Sequence, residues 1–394
     1  MTNRPDAPAA KDHYLILDGL RGVAAVMVVL FHLCEAFNPE HPLTQWINHG
    51  YLAVDFFFLL SGFVIAYAYD DRWQAMGLGD FFKRRLVRLQ PMVVMGMLVG
   101  AALFYLQAGS TFPTIAATPV WLMLLVMAIG CTLLPVPPSL DIRGWGEMHP
   151  LNGPAWSLFF EYIANILYAL VLRRLAIRWL GVLVALAAAL LVHLAVFGAR
   201  GDLIGGWSIT PEQLHVGFAR LLFPFLAGML LMRLGKRIHL NHAFGVCSAL
   251  LVVALALPRF GGAEHLWMNG LYESLCVIVL FPVIVAIGAG ATLGSAATRI
   301  AGFFGQLSYP LYITHYGLIY AYTSWIADHQ ALPTLTRVAM GALVFVTSLA
   351  IAWACLKFYD LPVRRWLTAR FIHAPGQRVP GQPPRSQRAA STAK

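Results

Sequence analysis

The sequence predicts an all-α polytopic membrane protein of about ten transmembrane helices, with one further re-entrant or interfacial segment. Three observations predict it. Of 394 residues, 59% are apolar and only 12% are charged, against about 25% charged in an ordinary soluble domain. So few charges cannot cover a soluble surface, because charged residues are almost never fully buried unless paired. The apolar residues also fall in continuous runs, each near the roughly 20 residues that a helix needs to cross the hydrocarbon core. Finally, basic residues cluster between the runs, at Lys83–Arg88, Arg173–Arg178, Arg233–Arg237 and Arg364–Arg370. That is the loop pattern of the positive-inside rule. A membrane barrel is excluded, because its strands alternate polarity over about 10 residues.

The candidate segments are 14–37, 50–69, 91–109, 118–136, 155–172, 179–198, 215–232, 241–258, 269–289, 303–325 and 337–358. The first starts after a polar tail and lacks a small-residue cleavage site, so it reads as a spanning helix rather than a signal peptide. Placing 70–90 in the cytoplasm puts the N-terminus there too. The later basic clusters want the same side, but three crossings between 91 and 172 would put Arg173 outside. One of 91–109, 118–136 and 155–172 is therefore expected not to span, which is tolerated where protein or a water-filled cavity surrounds the backbone. Pro91 is read as the start of a new segment. The expected organisation is a cytoplasmic tail over 1–13, a transmembrane domain over 14–370 and a basic, disordered cytoplasmic tail over 371–394, with both termini inside a bacterial inner membrane. That last tail holds Pro, Gly, Gln and Ser with Arg378, Arg385, Arg388 and Lys394, too polar to order itself by burial.

The net charge of +10 belongs to these loops, so nucleic-acid binding is not expected. Cys34, Cys131, Cys247, Cys276 and Cys355 form no CxxC pair, so neither zinc nor a redox motif is expected. They read as small apolar residues.

Ionisable groups inside apolar runs are costly and mark candidate sites. Arg21 and His32 share one face of the first segment, three turns or ~16 Å apart, and Asp18 is spaced to pair with Arg21. Alone, His32 also reads as a packing histidine. Asp55 lies among aromatics in Val54–Phe58 and needs a cationic partner, as a structural ion pair or a functional group. Arg85 and Arg88 share a helical face, suited either to a polyphosphate or to a plain positive-inside loop. Glu161 sits at the mouth of another run, with Trp156 on an adjacent face. Arg220, Glu273 and His315 lie in later runs, and each alone reads more readily as structural.

In order, these residues resemble the acyltransferase-3 family of integral membrane O-acyltransferases. Arg21, ten residues and His32 match its Arg/His signature. Asp55 through Ser61-Gly62-Phe63 is similar to its second-helix block, Arg85/Arg88 to its Arg-x-x-Arg and Trp156-Ser157-Leu158 with Glu161 to its Trp-Ser-Leu-x-x-Glu. Arg220 with Phe225 and Gly228, Ser308-Tyr309 through His315, and Phe358-Tyr359-Asp360-Leu361-Pro362 with Arg364 resemble later blocks. Two departures stand out. Asp360 replaces a more usual Glu, and Tyr162 follows Glu161 where a second Glu is frequent.

The resemblance implies about ten helices and an acyl-CoA donor, acetyl-CoA by default, with no metal. Some members carry a fused extracytoplasmic domain; this chain is expected to act alone or with a separate partner. The acceptor is expected to be a carbohydrate or glycoconjugate hydroxyl, although antibiotics and small glycosides also fit. The acyl length and the oligomeric state stay open. His32 is the expected general base, oriented by Glu161 or Asp55, with a covalent acyl-histidine as the alternative. Arg21, Arg85 and Arg88 are expected to hold the donor, and Asp18, Trp156, Arg220 and His315 are substrate or structural candidates. A proton-coupled transporter is the competing class, since buried His, Asp and Glu also make proton relays. No paired inverted halves support it.

Overall fold

The computed structural model describes residues 13–37 and 45–372. The two expected tails otherwise lie outside the described residues. Every long element is a helix: α1 Leu15–Phe37, α2 Ala53–Tyr69, α3 Leu78–Leu103, α4 Val120–Gly130, α5 Ala155–Leu170 and α6 Ile177–Phe197. Then follow α7 Pro211–Leu234, α8 Ala243–Ala256, α9 Trp267–Gly290, α10 Ser295–Thr314, α11 Tyr316–Asp328 and α12 Thr334–Ile372. Seven are long and apolar enough to cross a membrane, and α4, α5 and α8 are shorter apolar helices. The protein is an all-α polytopic membrane protein.

Contacts at the two ends of the bundle give the path. At one end Arg233 holds Asp70 and the carbonyls of Leu172 and Leu175, and Arg237 holds Tyr14. We call this the basic end. At the opposite end Arg259 joins Tyr51 to Asp202, and Ser110 bonds Asp328. α4 runs from the opposite end to mid-depth, where Gln90 holds the Cys131 carbonyl. The chain then returns toward the opposite end, where the Thr114 hydroxyl donates to the Ile142 carbonyl and the Met148 amide to the Trp207 carbonyl, and α5 runs from there to the basic end. α10 and α11 together make one pass, so among the described residues twelve helices give ten passes.

The parity problem between 91 and 172 is thereby resolved as expected, with segment 118–136 the one that does not span. It is helical only over Val120–Gly130 because Pro135, Pro137 and Pro138 cannot continue it. Pro91 is a correction. It lies inside α3, which begins at Leu78, so the run from Lys83 to Arg88 is helix rather than loop. The ring removes one intrahelical bond, and the helix accommodates that loss next to the cavity described below.

α2 is central and α6 and α12 are peripheral: 78% of the most apolar stretch through α2 is buried, against 22% in each of the others. Without a hydrophobic drive between helices in lipid, close approach depends on small residues. α2 and α7 meet on glycines. A Cβ at Gly228 would stand 2.1 Å from the Leu59 carbonyl, and one at Gly62 2.0 Å from the Phe225 carbonyl. We expect Gly228→Val to destabilise the bundle by roughly 1–3 kcal/mol, read as a fall in Tm in detergent. Gly245→Ala, whose new methyl meets nothing within 4 Å, serves as the control.

Candidate functional site

A cavity of about 290 Å³ opens at the basic end between α1, α2, α3, α5, α10 and α12. Its wall carries four guanidiniums, Arg21, Arg85, Arg88 and Arg364, against three carboxylates, Asp18, Glu161 and Asp360. Three of the cations are paired. Arg21 bonds Asp18 at 3.0 Å, Arg85 bonds Glu161 at 2.7 Å and Arg364 bonds Asp360 at 2.7 Å. Among the described residues, Arg88 has no ion pair. Among the described residues, the buried Nε atoms of Arg85 and Arg364 also have no hydrogen-bond partner. The site thus holds net positive charge and unspent donors, the chemistry of a phosphate-binding pocket. The helical spacing of Arg85 and Arg88 puts both on the cavity. Arg364 arrives from α12 after the π-turn Cys355–Asp360.

Ser157 and Tyr312 also line the cavity, and their hydroxyls lie 2.8 Å apart. Tyr312 and Phe57 meet edge to face at 5.4 Å. Beyond Tyr312 comes His315, then His32, with the two imidazoles stacked at 5.7 Å between centroids. His32 itself does not line the cavity. Its Nδ1 lies 3.0 Å from Glu35 Oε2, one turn further along α1, and Tyr316 covers it edge-on at 4.7 Å. This arrangement leaves Nε2 of His32 available for chemistry.

Neither expected orienting carboxylate sits on His32, which corrects that expectation. Glu161 takes Arg85 and the Ser61 hydroxyl. Asp55 takes Arg220 at the opposite end, 2.7 Å away, with both side chains buried. The physical reason is charge: each carboxylate has a guanidinium in reach, which offers a stronger charge-assisted bond than a neutral imidazole.

These positions coincide with a family assignment. The acyltransferase-3 family model, described as an acyltransferase domain, matches residues 14–357. The chain belongs to the acyltransferase-3 family. Over 370 residues it is 24% identical to the O-acetyltransferase OatA of Staphylococcus aureus, covering 89% of this chain and 57% of OatA. Over 165 residues it is 36% identical to "Protein 2 in picA locus" of Rhizobium radiobacter, covering 40% of this chain and 82% of that protein. No solved structure matches the chain.

Within this acyltransferase-3 domain the remaining candidates form a second network. Arg220 also donates to the carbonyls of Gly205 and Tyr51 and lies over Trp156 at 5.2 Å. Glu273 accepts from Tyr51, from Asn269 and from the Leu203 amide. Arg220, Asp55, Trp156 and Glu273 therefore lock the opposite end and do not line the cavity.

Two features escaped the sequence reading. Glu35 carried a usable signal, since it stands three residues after His32 as Asp18 stands three before Arg21. The other is a cluster from residues 141–153. Arg143 lies 3.4 Å over the Tyr320 ring and bonds Gln107, while Glu147 accepts from Tyr320. Burial pushes the Glu147 carboxyl up to about 7, against the pull of Arg143. Arg143 and Glu147 are four residues apart and approach to 3.8 Å, but nothing local in the sequence brings Gln107 and Tyr320 to them.

Proposed function

We propose that this protein is a membrane O-acyltransferase that moves an acyl group, acetyl by default, from acyl-CoA to a hydroxyl of a carbohydrate or glycoconjugate. The observation that carries the reading is the alignment of a basic cavity with a carboxylate-anchored histidine on one helix, α1. Arg21 faces the cavity near one end of α1, and the His32–Glu35 pair stands eleven residues further on.

Arg21, Arg85, Arg88 and Arg364 hold the phosphates of coenzyme A. The pantetheine arm extends toward His32, a distance of ~16 Å along the helix. Because Tyr312 and Ser157 lie between cavity and histidine, the arm displaces their hydroxyl contact as it enters. Glu35 accepts the Nδ1 hydrogen of His32, which leaves Nε2 to take the acceptor's proton. The hydroxyl oxygen then bonds to the thioester carbonyl carbon and the carbon–sulfur bond breaks. The thiolate takes that proton from Nε2 of His32 and leaves as CoA, which restores the base, and the acyl ester departs on the acceptor.

The basic end faces the cytoplasm of a bacterial inner membrane under the positive-inside rule, where acyl-CoA is made. The acceptor approaches His32 from the opposite side. OatA is named as an O-acetyltransferase, which supports acetyl as the group and oxygen as its destination. No metal enters this chemistry.

The test is transfer of radiolabel from acetyl-CoA by the purified protein in nanodiscs to cell-wall glycan fragments or lipid-linked sugars. CoA release that requires both His32 and the acceptor supports the enzyme. Uptake of acceptor without CoA release supports a transporter and ends this reading. Arg88 tests the donor site separately. Arg88 is the cavity cation without a carboxylate partner among the described residues, so Arg88→Ala should weaken acetyl-CoA binding about 10- to 100-fold. Arg84→Ala, outside the cavity lining, should leave the Kd unchanged.

A further inference from the structure

His315 takes no part in the mechanism above, yet it is fully buried beside His32. Its Nδ1 lies 3.0 Å from the Leu311 carbonyl and 2.9 Å from the Tyr312 carbonyl. Carbonyls only accept, so Nδ1 carries the hydrogen and the tautomer is set. No carboxylate touches the ring among the described residues, so a second proton has no counter-ion. Nε2 is then a lone pair, buried and without a hydrogen-bond partner. Buried polar atoms are nearly always satisfied, and this one sits between the end of the cavity and the proposed base.

The local backbone is built around the same ring. By taking the Tyr312 carbonyl, His315 withdraws an acceptor from the helical ladder, and the pass breaks there into α10 and α11. The break fixes the imidazole one turn beyond Tyr312, with ring centroids 6.2 Å apart. A group coming from the cavity therefore passes His315 before it reaches His32.

We propose that His315 is a second substrate-contacting histidine, whose Nε2 accepts a hydrogen bond from an amide N–H of the donor's pantetheine arm and so seats the thioester against His32. A lone pair cannot hold a phosphate; it needs an N–H or O–H. The pantetheine amide nearer the sulfur is separated from it only by an ethylene unit. With the two imidazoles stacked, one ring serves that amide and the other serves the hydroxyl that attacks the adjacent carbonyl. This inference rests on the acyl-CoA reading.

The experiment is equilibrium binding of acetyl-CoA, and of an analogue with an ester oxygen in place of that amide N–H, to the full-length protein in nanodiscs without acceptor. Wild type should bind the analogue about 10-fold more weakly. His315→Phe should bind acetyl-CoA about as weakly as wild type binds the analogue, and should no longer tell the two apart. His315→Gln, which keeps an acceptor, should retain part of the discrimination. Equal wild-type affinity for the two donors overturns the inference and leaves the acyl-CoA reading intact, as does a His315→Phe protein that still discriminates. Absence of Arg88-dependent acetyl-CoA binding overturns both. The wild-type comparison stands whether or not His315→Phe folds.

Discussion

Replacing His32 by alanine should lower acyl transfer by roughly 10²- to 10⁴-fold, the range a positioned general base contributes, while the Kd for acetyl-CoA stays within about twofold of wild type. The separation follows from geometry. The arginines proposed to hold the donor's phosphates line the cavity at the basic end, and His32 stands beyond Tyr312 and His315, outside that lining. Glu35→Gln should cost less than His32→Ala, because Gln still accepts from Nδ1 but no longer stabilises the imidazolium that forms during transfer. The check is a paired measurement of turnover and donor affinity on each variant. Loss of affinity in step with turnover would place His32 in the donor site and remove it as the base. Full turnover in His32→Ala would end the mechanism.

Much of the architecture was legible because a bilayer imposes one rule on every span, about 20 apolar residues of helix. Runs 14–37, 50–69, 179–198, 215–232 and 269–289 all fall on long apolar helices. Legibility failed where pairing joins distant parts of the chain. Residues 131–154 connect α4 to α5, and two of their buried side chains bond other helices: Asn152 donates to the Ile313 carbonyl and Arg143 to Gln107. Hydropathy registers only that the flanking runs are apolar.

The candidate site divides the same way. Local spacing put Asp18 on Arg21, and it put Arg85 and Arg88 on one wall of the cavity. The partners of Glu161 and Asp55 depend on contacts across 76 and 165 positions of sequence, which no helical periodicity encodes. A carboxylate inside an apolar run announces that it has a partner without saying which. Asp55 was equally readable as catalytic or structural for that reason, and its contact with Arg220 turns the choice into a measurement.

Asp55→Ala should therefore destabilise the protein by about 3–5 kcal/mol, the cost of leaving a buried guanidinium uncompensated, while the protein that remains folded keeps most of its donor affinity. Both side chains are within 1% of full burial, and Arg220 makes contacts to both Asp55 oxygens. Asp55→Asn should cost less, since the amide oxygen keeps one acceptor. The double variant Asp55→Leu/Arg220→Met should recover only part of the loss. Arg220 also satisfies the carbonyls of Gly205 and Tyr51, and removing it strands two buried acceptors at about 1–3 kcal/mol each. A double-mutant cycle on Tm in detergent isolates the ion pair from those carbonyl bonds. If Asp55→Ala instead kept wild-type stability and lost turnover, Asp55 would belong to the chemistry. The pair with Arg220 would then be its resting position rather than its role.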